Sequence, residues 1–399
     1  MPFIASIAVC LGLLIGLGLL ERGLRDCAWK AVPIRIHVNG TRGKSTVTRL
    51  IWGALCKAGI PSLAKTTGAT SRLLFPDGSE RSLLRRGKPN IREQLRTLLL
   101  AKRKGAKAVV LECMALGPEL QWVAEQSMVR ATIGVITNVR MDHTEVMGST
   151  SQEIAASLAN TIPSQSVLVT GDLAFADFIK ARASDRGTRV VAADAGFPPF
   201  SPASDDRESA GTRANSHSWL QEDQAIALAV TRELGIDDEI ALSGMLNAPL
   251  DPGSVSSGIA QFGMYALPYL DATSANDPES FKQALAIFWA EFDQRDVQPK
   301  SQLLIYNHRY DRPHRLLHFA AEVFPMTYGN RLLITGDHPA LTSWLAIRRI
   351  AGIAPVRFVT AQQLPAVLQE LASSCQGIVF CGNTHGLDVP KILGSEIHG

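Results

Sequence analysis

The sequence predicts a two-domain α/β protein whose mainly parallel sheets are covered by helices, preceded by one apolar helix. Three observations carry this. Short apolar runs alternate with helical patterns along most of the chain, and that alternation builds parallel sheets with helices on both faces. A glycine-bearing turn that ends in Lys-Ser stands between the first apolar run and the first helix. An uncharged stretch opens the chain. The 399 residues suit two to three domains. With 46% hydrophobic and 19% charged residues the chain can bury a sizeable core, which excludes a disordered or collagen-like protein. The formal charge of +3 is too small for nucleic-acid binding by the chain as a whole, so no nucleic-acid partner is expected. Six cysteines form no Cys-x-x-Cys pair, which argues against a zinc site or a disulfide framework and suits a reducing compartment.

Residues 2–20 carry no charge, and at 1.5 Å rise per residue they reach about 28 Å, enough to cross a bilayer core of about 30 Å. They lack the basic start and small-x-small end of a cleaved signal, and they are apolar on every face, unlike an ordinary core helix. Arg22, Arg25 and Lys30 follow, which places that side in the cytoplasm. The expectation is a single-pass anchor (2–20) in the inner membrane with the catalytic part in the cytoplasm. A first domain is expected over 30–245, with buried strands at 34–38, 108–111, 132–136 and 167–170. Val47, Leu50, Ile51, Ala54, Leu55 and Ala58 repeat with the spacing of one helix face. Residues 194–217, rich in Pro, Ser, Gly and Asp, read as a long loop, and a helix is expected over 224–234. Residues 244–263 read as the linker to a second α/β domain over 264–399, with strands at 302–306, 331–335, 356–359 and 377–381. No internal repeat is visible.

Strand IRIHV leads into Asn39-Gly40-Thr41-Arg42-Gly43-Lys44-Ser45-Thr46 and then the helix. Glycines let the backbone turn its N–H groups inward, the helix start adds its positive dipole end, Lys44 can reach the β- and γ-phosphates, and the Ser45 hydroxyl can join a Mg²⁺ shell. Val38 stands where the strict Walker pattern has glycine. ATP binding is expected. Glu112 ends the strand AVVL at the sheet edge where open α/β sheets hold ligands, and beside a phosphate loop it is a candidate Mg²⁺ ligand. Strand TIGVI runs into Asn138, Asp142, His143 and Glu145, which offer oxygen and nitrogen ligands for a second cation.

Together these segments resemble the ATP-dependent amide ligases of the Mur and folylpolyglutamate synthase superfamily. That group's phosphate loop also lacks the first Walker glycine; Glu112 in LECMALG resembles its Mg²⁺-binding glutamate, and Asn138 with Asp142-His143 resembles its Thr-Asn…Asp-His segment. The stretch from Asp271 through Asn276 to Ser280 resembles the opening of that group's C-terminal domain. Within the superfamily the chain is most similar to the poly-γ-glutamate synthase ligase (CapB/PgsB) family. HVNGTRGKST, KTTGAT, LECMAL and TNVRMDH share its wording, Asn307-His-Arg309-Tyr-Asp311-Arg312-Pro313 resembles a stretch of its C-terminal domain, and the apolar span leads almost directly into the phosphate loop. The resemblance implies a Mur-ligase-like P-loop ATPase domain followed by a smaller Rossmann-like domain. It implies Lys44, Glu112 and His143 as catalytic residues, with Ser45, Glu112 and His143 as metal ligands. Gly40, Thr41, Arg42, Gly43, Lys44, Ser45, Thr46 and Asn138 would bind nucleotide, with Asn276, Arg309 and Arg312 joining from the C-terminal domain. Two departures stand out. The helix over 154–160 has no lysine where relatives place a carbamylated one, and Asp223 replaces the asparagine that precedes the later helix in the family.

The activity implied is γ-amide bond formation through an acyl phosphate, with ATP and Mg²⁺ as cofactors. Implied partners are glutamate or poly-γ-glutamate, the membrane and small integral membrane subunits of a capsule synthase, with a homo-oligomer left open. Between Arg81 and Lys107 the chain carries ten basic residues against one acidic residue, Glu93. This run is expected to be a polyanion track, with Arg85, Arg86 and Arg92 as substrate residues, or else a solvated face near anionic lipid. Thr67 in Lys65-Thr66-Thr67-Gly68 is expected on the substrate side of the phosphate site. His308, His314 and His318 read as solvated, Cys375 and Cys381 as core thiols, and Trp122, Trp219 and Trp289 as packing residues. The rival readings are a ligase adding glutamate to another carboxylate acceptor, a P-loop NTPase that energises a transporter, and a nucleotide-binding scaffold without turnover.

Overall fold

The structure is a computed structural model and describes residues 2–67, 71–85, 87, 89–193, 221–249, 251, 255–275, 277–293, 302–326, 331–351 and 356–393. The chain divides into two compact units, residues 1–198 with 221–251, and 199–220 with 252–399.

In the first unit eight strands form one sheet: β1 (Ile34–Asn39), β2 (Ser62–Thr66), β3 (Arg72–Leu74), β4 (Glu80–Ser82), β5 (Ala108–Glu112), β6 (Ile133–Ile136), β7 (Val167–Thr170) and β8 (Arg189–Ala192). Their order is β4-β3-β2-β5-β1-β6-β7-β8, parallel except where β3 runs antiparallel to both neighbours. The helices are α1 (Pro2–Ala31), α2 (Lys44–Lys57), α3 (Arg92–Arg103), α4 (Pro118–Val123), α5 (Thr144–Met147), α6 (Ser151–Leu158), α7 (Ala176–Ser184), α8 (Gln221–Glu233) and α9 (Asp238–Leu246). The apolar stripe of α2 is buried as its spacing predicts, packing Val47, Leu50, Ile51, Ala54 and Leu55 against Ile36 and Val110 of the sheet and Ile226 and Met245 of α8 and α9. On another side Leu98 and Ala101 of α3 meet Ala28, Val32 and Val109. The later part of α1 is therefore seated on the unit, with Arg25 Nη1 donating to Ser127 O at 2.9 Å and Trp29 Nε1 to Met128 O at 3.0 Å. Its earlier leucines, such as Leu11, Leu14 and Leu17, are exposed. Over the described residues no helix is long and apolar enough to cross a membrane, so the span expected at 2–20 stands on its sequence alone.

The second unit holds β9 (Ser256–Phe262), β10 (Tyr265–Asp271), β11 (Gln302–His308), β12 (Arg331–Gly336), β13 (Val356–Phe358) and β14 (Gly377–Gly382). The order is β13-β12-β11-β14-β10-β9, and only the β9–β10 hairpin is antiparallel. Its helices are α10 (Pro278–Asp293), α11 (Pro313–Glu322), α12 (Leu341–Ala351), α13 (Leu364–Leu371) and α14 (Val389–Ile392). Phe281, Phe288, Phe319 and Tyr306 pack on one face of this sheet, and Leu364, Leu368 and Val389 on the other.

The structure corrects several expectations. The stretch read as a linker contains the end of α9 and all of β9, because an antiparallel edge hairpin accepts the Gly, Ser and Pro that suggested a loop. Helix α8 begins at Gln221, which puts Asp223 in its first turn rather than before it. Strands β2 to β4 and β8 escaped the apolar-run criterion because they are short or carry polar residues such as Lys65, and β10 because Pro268 interrupts its run. His308 is not a solvated histidine but is buried at the end of β11. Trp122 is 47% exposed rather than packed inside. The stretch 194–217, with Trp219, lies outside the described residues.

Candidate active site

The register of three parallel strands gathers the site. Val38 of β1 pairs with Glu112 of β5, Asn39 pairs with Ile136 of β6, and Lys65 of β2 pairs with Leu111. Their carboxyl ends therefore open side by side, where open α/β sheets place ligands. From β1 the chain turns through Gly40 (φ +133°) and Gly43 (φ +77°) into α2. A side chain is excluded at both positions: a Cβ on Gly40 would lie 2.0 Å from Thr137 Oγ1, and one on Gly43 would lie 2.2 Å from Asp223 Oδ1. The first N–H groups of α2 have no partner within the helix and no side-chain cap, as a phosphate cradle needs.

Lys44 lies over this turn and donates from Nζ to Gly40 O at 2.7 Å and to Thr41 O at 3.1 Å. Burial pushes its ammonium below the usual range, against the pull of Glu112 and Asp142. Ser45 Oγ donates to Glu112 Oε2 at 2.7 Å, and the Thr67 N–H donates to the same oxygen at 2.6 Å. Glu112 is 3% exposed, and its backbone carbonyl accepts from Gln94 Nε2 of α3 at 2.8 Å. Thr46 follows in the first turn of α2.

A second brace comes from the β6 end. Asn138 Oδ1 accepts from Thr41 Oγ1 at 2.7 Å and from Arg42 N at 3.0 Å, while Thr41 N donates to Asn138 O at 3.1 Å. Asn138 thus holds the phosphate loop in shape. Arg42 Nη2 lies 3.6 Å from Asp142 Oδ2. Burial would raise the Asp142 carboxyl, yet Arg42, His143 and Lys44 together hold it below its ordinary value. His143 has a left-handed backbone (φ 47°) and lies 3.8 Å from Asp142 and 3.5 Å from Glu145. Such backbone in a non-glycine residue is concentrated at functional sites.

The Ser45 hydroxyl and the Glu112 carboxylate are adjacent hard oxygen donors at the strand ends. Among the described residues no group of three or more His, Cys, Asp or Glu gathers to hold an ion unaided. This donor set fits Mg²⁺, which binds through one or two protein oxygens and completes its shell with phosphate oxygens and water.

Three groups near the site make contacts that the sequence reading did not assign. Buried Lys65 lies 3.3 Å from Glu93 Oε2, and Arg85 reaches the same carboxylate with Nε and Nη2 at 2.8 and 3.0 Å. Burial pushes the Glu93 carboxyl up, but Arg85 and Lys65 outweigh it and hold it low. Beneath the loop, His37 Nδ1 meets Glu125 Oε2 at 2.8 Å with both side chains fully buried. Asp223 packs on Gly43; burial and Glu222 push its carboxyl up to about 8, with Arg140 opposing. His37 and Lys65 leave a trace in the sequence as polar residues inside apolar strands, and Asp223 does so as a departure from the family's asparagine. In the second unit Arg309 forks onto Asp311 at 2.9 and 2.7 Å, and Arg312 precedes α11, both just past the end of β11. Asn276 and Arg86 lie outside the described residues.

Comparison with known proteins places this geometry. Residues 38–230 match the Mur ligase middle domain, and residues 259–393 match the poly-gamma-glutamate synthase CapB C-terminal domain. PGA synthase CapB of Bacillus subtilis (strain 168) is 35% identical over 341 residues, covering 83% of this chain and 81% of that protein. The chain belongs to the CapB poly-γ-glutamate synthase family. A second CapB relative, the capsule biosynthesis protein of Bacillus anthracis, is 35% identical over 338 residues, covering 84% of this chain and 70% of its own length. The CapB fold is shared with the bifunctional folylpolyglutamate synthase/dihydrofolate synthase of Yersinia pestis, solved with AMPPNP and a Mn ion. That likeness has a TM-score of 0.60 at 18% identity, over 90% of this chain and 88% of that one.

Proposed function

We propose that this CapB-family chain is an ATP-dependent ligase that joins glutamates through γ-amide bonds into poly-γ-glutamate at the cytoplasmic face of a membrane. The observation that carries the reading is the convergence of Lys44, Ser45 and Glu112 on one glycine turn, in a chain whose relatives are named for this synthesis. The phosphate loop would take the β- and γ-phosphates of ATP on its N–H groups and Lys44. Ser45 and Glu112 would hold Mg²⁺, which when bound supplies charge neutralisation between two approaching anions. The acceptor's terminal carboxylate then attacks the γ-phosphorus, ADP leaves, and the amine of glutamate displaces phosphate from the acyl phosphate. Positioning and electrostatics carry such a transfer. The relative solved with AMPPNP and Mn supports the same ligand classes here.

The anchor belongs to the same proposal. The uncharged residues 2–20 of the sequence support a single membrane pass, with Arg22, Arg25 and Lys30 on the cytoplasmic side and small membrane subunits as partners. Membranes carrying wild type or Lys44→Ala, given ATP, Mg²⁺ and labelled glutamate, test the reaction. ADP released in step with acid-stable γ-amide bonds, and lost in Lys44→Ala, is the expected result; ATP hydrolysis indifferent to glutamate would refute it.

A further inference from the structure

Along α3 the first unit carries a cleft of about 720 Å³ whose lining includes Leu73, Leu84 and Leu100 with Arg85, Arg92 and Arg96. We propose that this cleft seats the growing γ-glutamyl chain, its arginines taking the α-carboxylates and its leucines the main-chain methylenes. The inference rests on the reading of the protein as a poly-γ-glutamate ligase and locates the acceptor of that reaction.

The chemistry of the two surfaces is complementary. A γ-linked chain alternates two methylenes with a free α-carboxylate, so it needs apolar contact and forked cationic donors together. Arginine supplies the fork. Glu93 is the one acidic side chain in the lining, and it is committed to Arg85 and Lys65. Arg92 meets Glu21 at 3.1 Å in an exposed pair, the kind that is worth little and exchanges readily. Arg96 is exposed and makes no ion pair among the described residues. Two guanidinium groups are therefore ready for an anionic ligand.

Position supports the same occupant. Glu93 in the cleft wall touches Lys65, and the next residue, Gln94, donates to the backbone of Glu112, the carboxylate beside Ser45. One turn of α3 thus joins the cleft to the site where a terminal carboxylate would be phosphorylated. Part of the basic run is engaged away from the cleft. Arg81 and Lys104 lie over the Phe75 ring at 5.4 and 5.8 Å, and Lys102 lies 2.9 Å from Cys27 Sγ.

Binding of fluorescent γ-linked pentaglutamate to the detergent-solubilised full chain decides the matter. Arg96→Ser and the Arg92→Ser/Arg96→Ser double variant should weaken it by about tenfold or more, the scale of a lost charge-assisted hydrogen bond. Arg96→Lys should recover part of the loss, Lys104→Ser should bind as wild type, and binding of an ATP analogue should not change, which also certifies folding. Pentaglutamate affinity equal in wild type and double variant would overturn the proposal. So would variants that lose binding to phosphatidylglycerol vesicles while keeping the oligomer, since the cleft would then face lipid. Glutamate-dependent ADP release by wild type is read separately, so failure of the ligase reading is distinguished from failure of the cleft.

Discussion

Replacing Glu112 by glutamine separates the two tasks of this carboxylate. Its Oε2 accepts from Ser45 Oγ at 2.7 Å and from Thr67 N at 2.6 Å. A glutamine carbonyl can accept both, so the structural loss is the change from two charge-assisted to two neutral hydrogen bonds, about 1 kcal/mol each. Part of that returns because no charge is buried. The loss at the cation is larger. Unit charges 4 Å apart near a protein surface interact by about 4 kcal/mol, and a divalent ion feels more. That corresponds to roughly a thousandfold in cation affinity. The midpoint of thermal unfolding should therefore fall by no more than about 4–8 °C. The Mg²⁺ concentration that gives half-maximal glutamate-dependent ADP release should rise at least about a hundredfold. An unchanged Mg²⁺ requirement alongside a lowered unfolding midpoint would refute the assignment and leave Glu112 a brace of the loop.

Three further predictions follow from buried charge. Burial alone would lower the His37 imidazole, but Cys113 and Glu125 pull it up to about 10, above its ordinary 6.5. The stabilisation is therefore complete below about pH 6.5 and is lost as pH rises through about 10, so the urea midpoint should fall between pH 6.5 and 9.5 in wild type and far less in His37→Gln. Asp223, raised to about 8 and packed on Gly43, ionises beside the phosphate loop in alkaline solution. ATP-analogue affinity should drop by about fivefold between pH 7 and 9, and Asp223→Asn should abolish the drop. Arg49 is 2% exposed and binds Glu80 at 2.7 Å and Pro249 O at 3.0 Å. Arg49→Ala should cost about 3 kcal/mol in denaturant unfolding, and a loss under about 1 kcal/mol would show the network to be dispensable.

The features legible in the sequence are local ones. The stripe of α2 shows because helix periodicity is a matter of neighbouring residues. The phosphate loop shows because Gly40 and Gly43 are the residues a positive-φ turn requires. Glu112 shows because a strand places its last side chain at the sheet edge. The short strands β3, β4 and β8 have too few residues to display any period, and β9 looks like a linker until its hairpin partner β10 is known. The basic run from Arg81 to Lys107 is visible as charge, whereas its division between a cleft and the Phe75 ring is not.

Sequence by itself determined the chemistry on offer: a triphosphate cradle, a carboxylate for a hard cation and a cationic stretch for an anion. Tertiary structure decided which groups meet. Pairing of Val38 with Glu112 and of Lys65 with Leu111 brings Ser45 and Thr67 to the Glu112 carboxylate and Gln94 to its backbone carbonyl, and packing of α3 sets Glu93 against Lys65. These contacts join residues 18 to 74 positions apart. Strand register is set by burial of whole sheet faces, so a residue's partner across the sheet is a property of the assembled core and has no local signature.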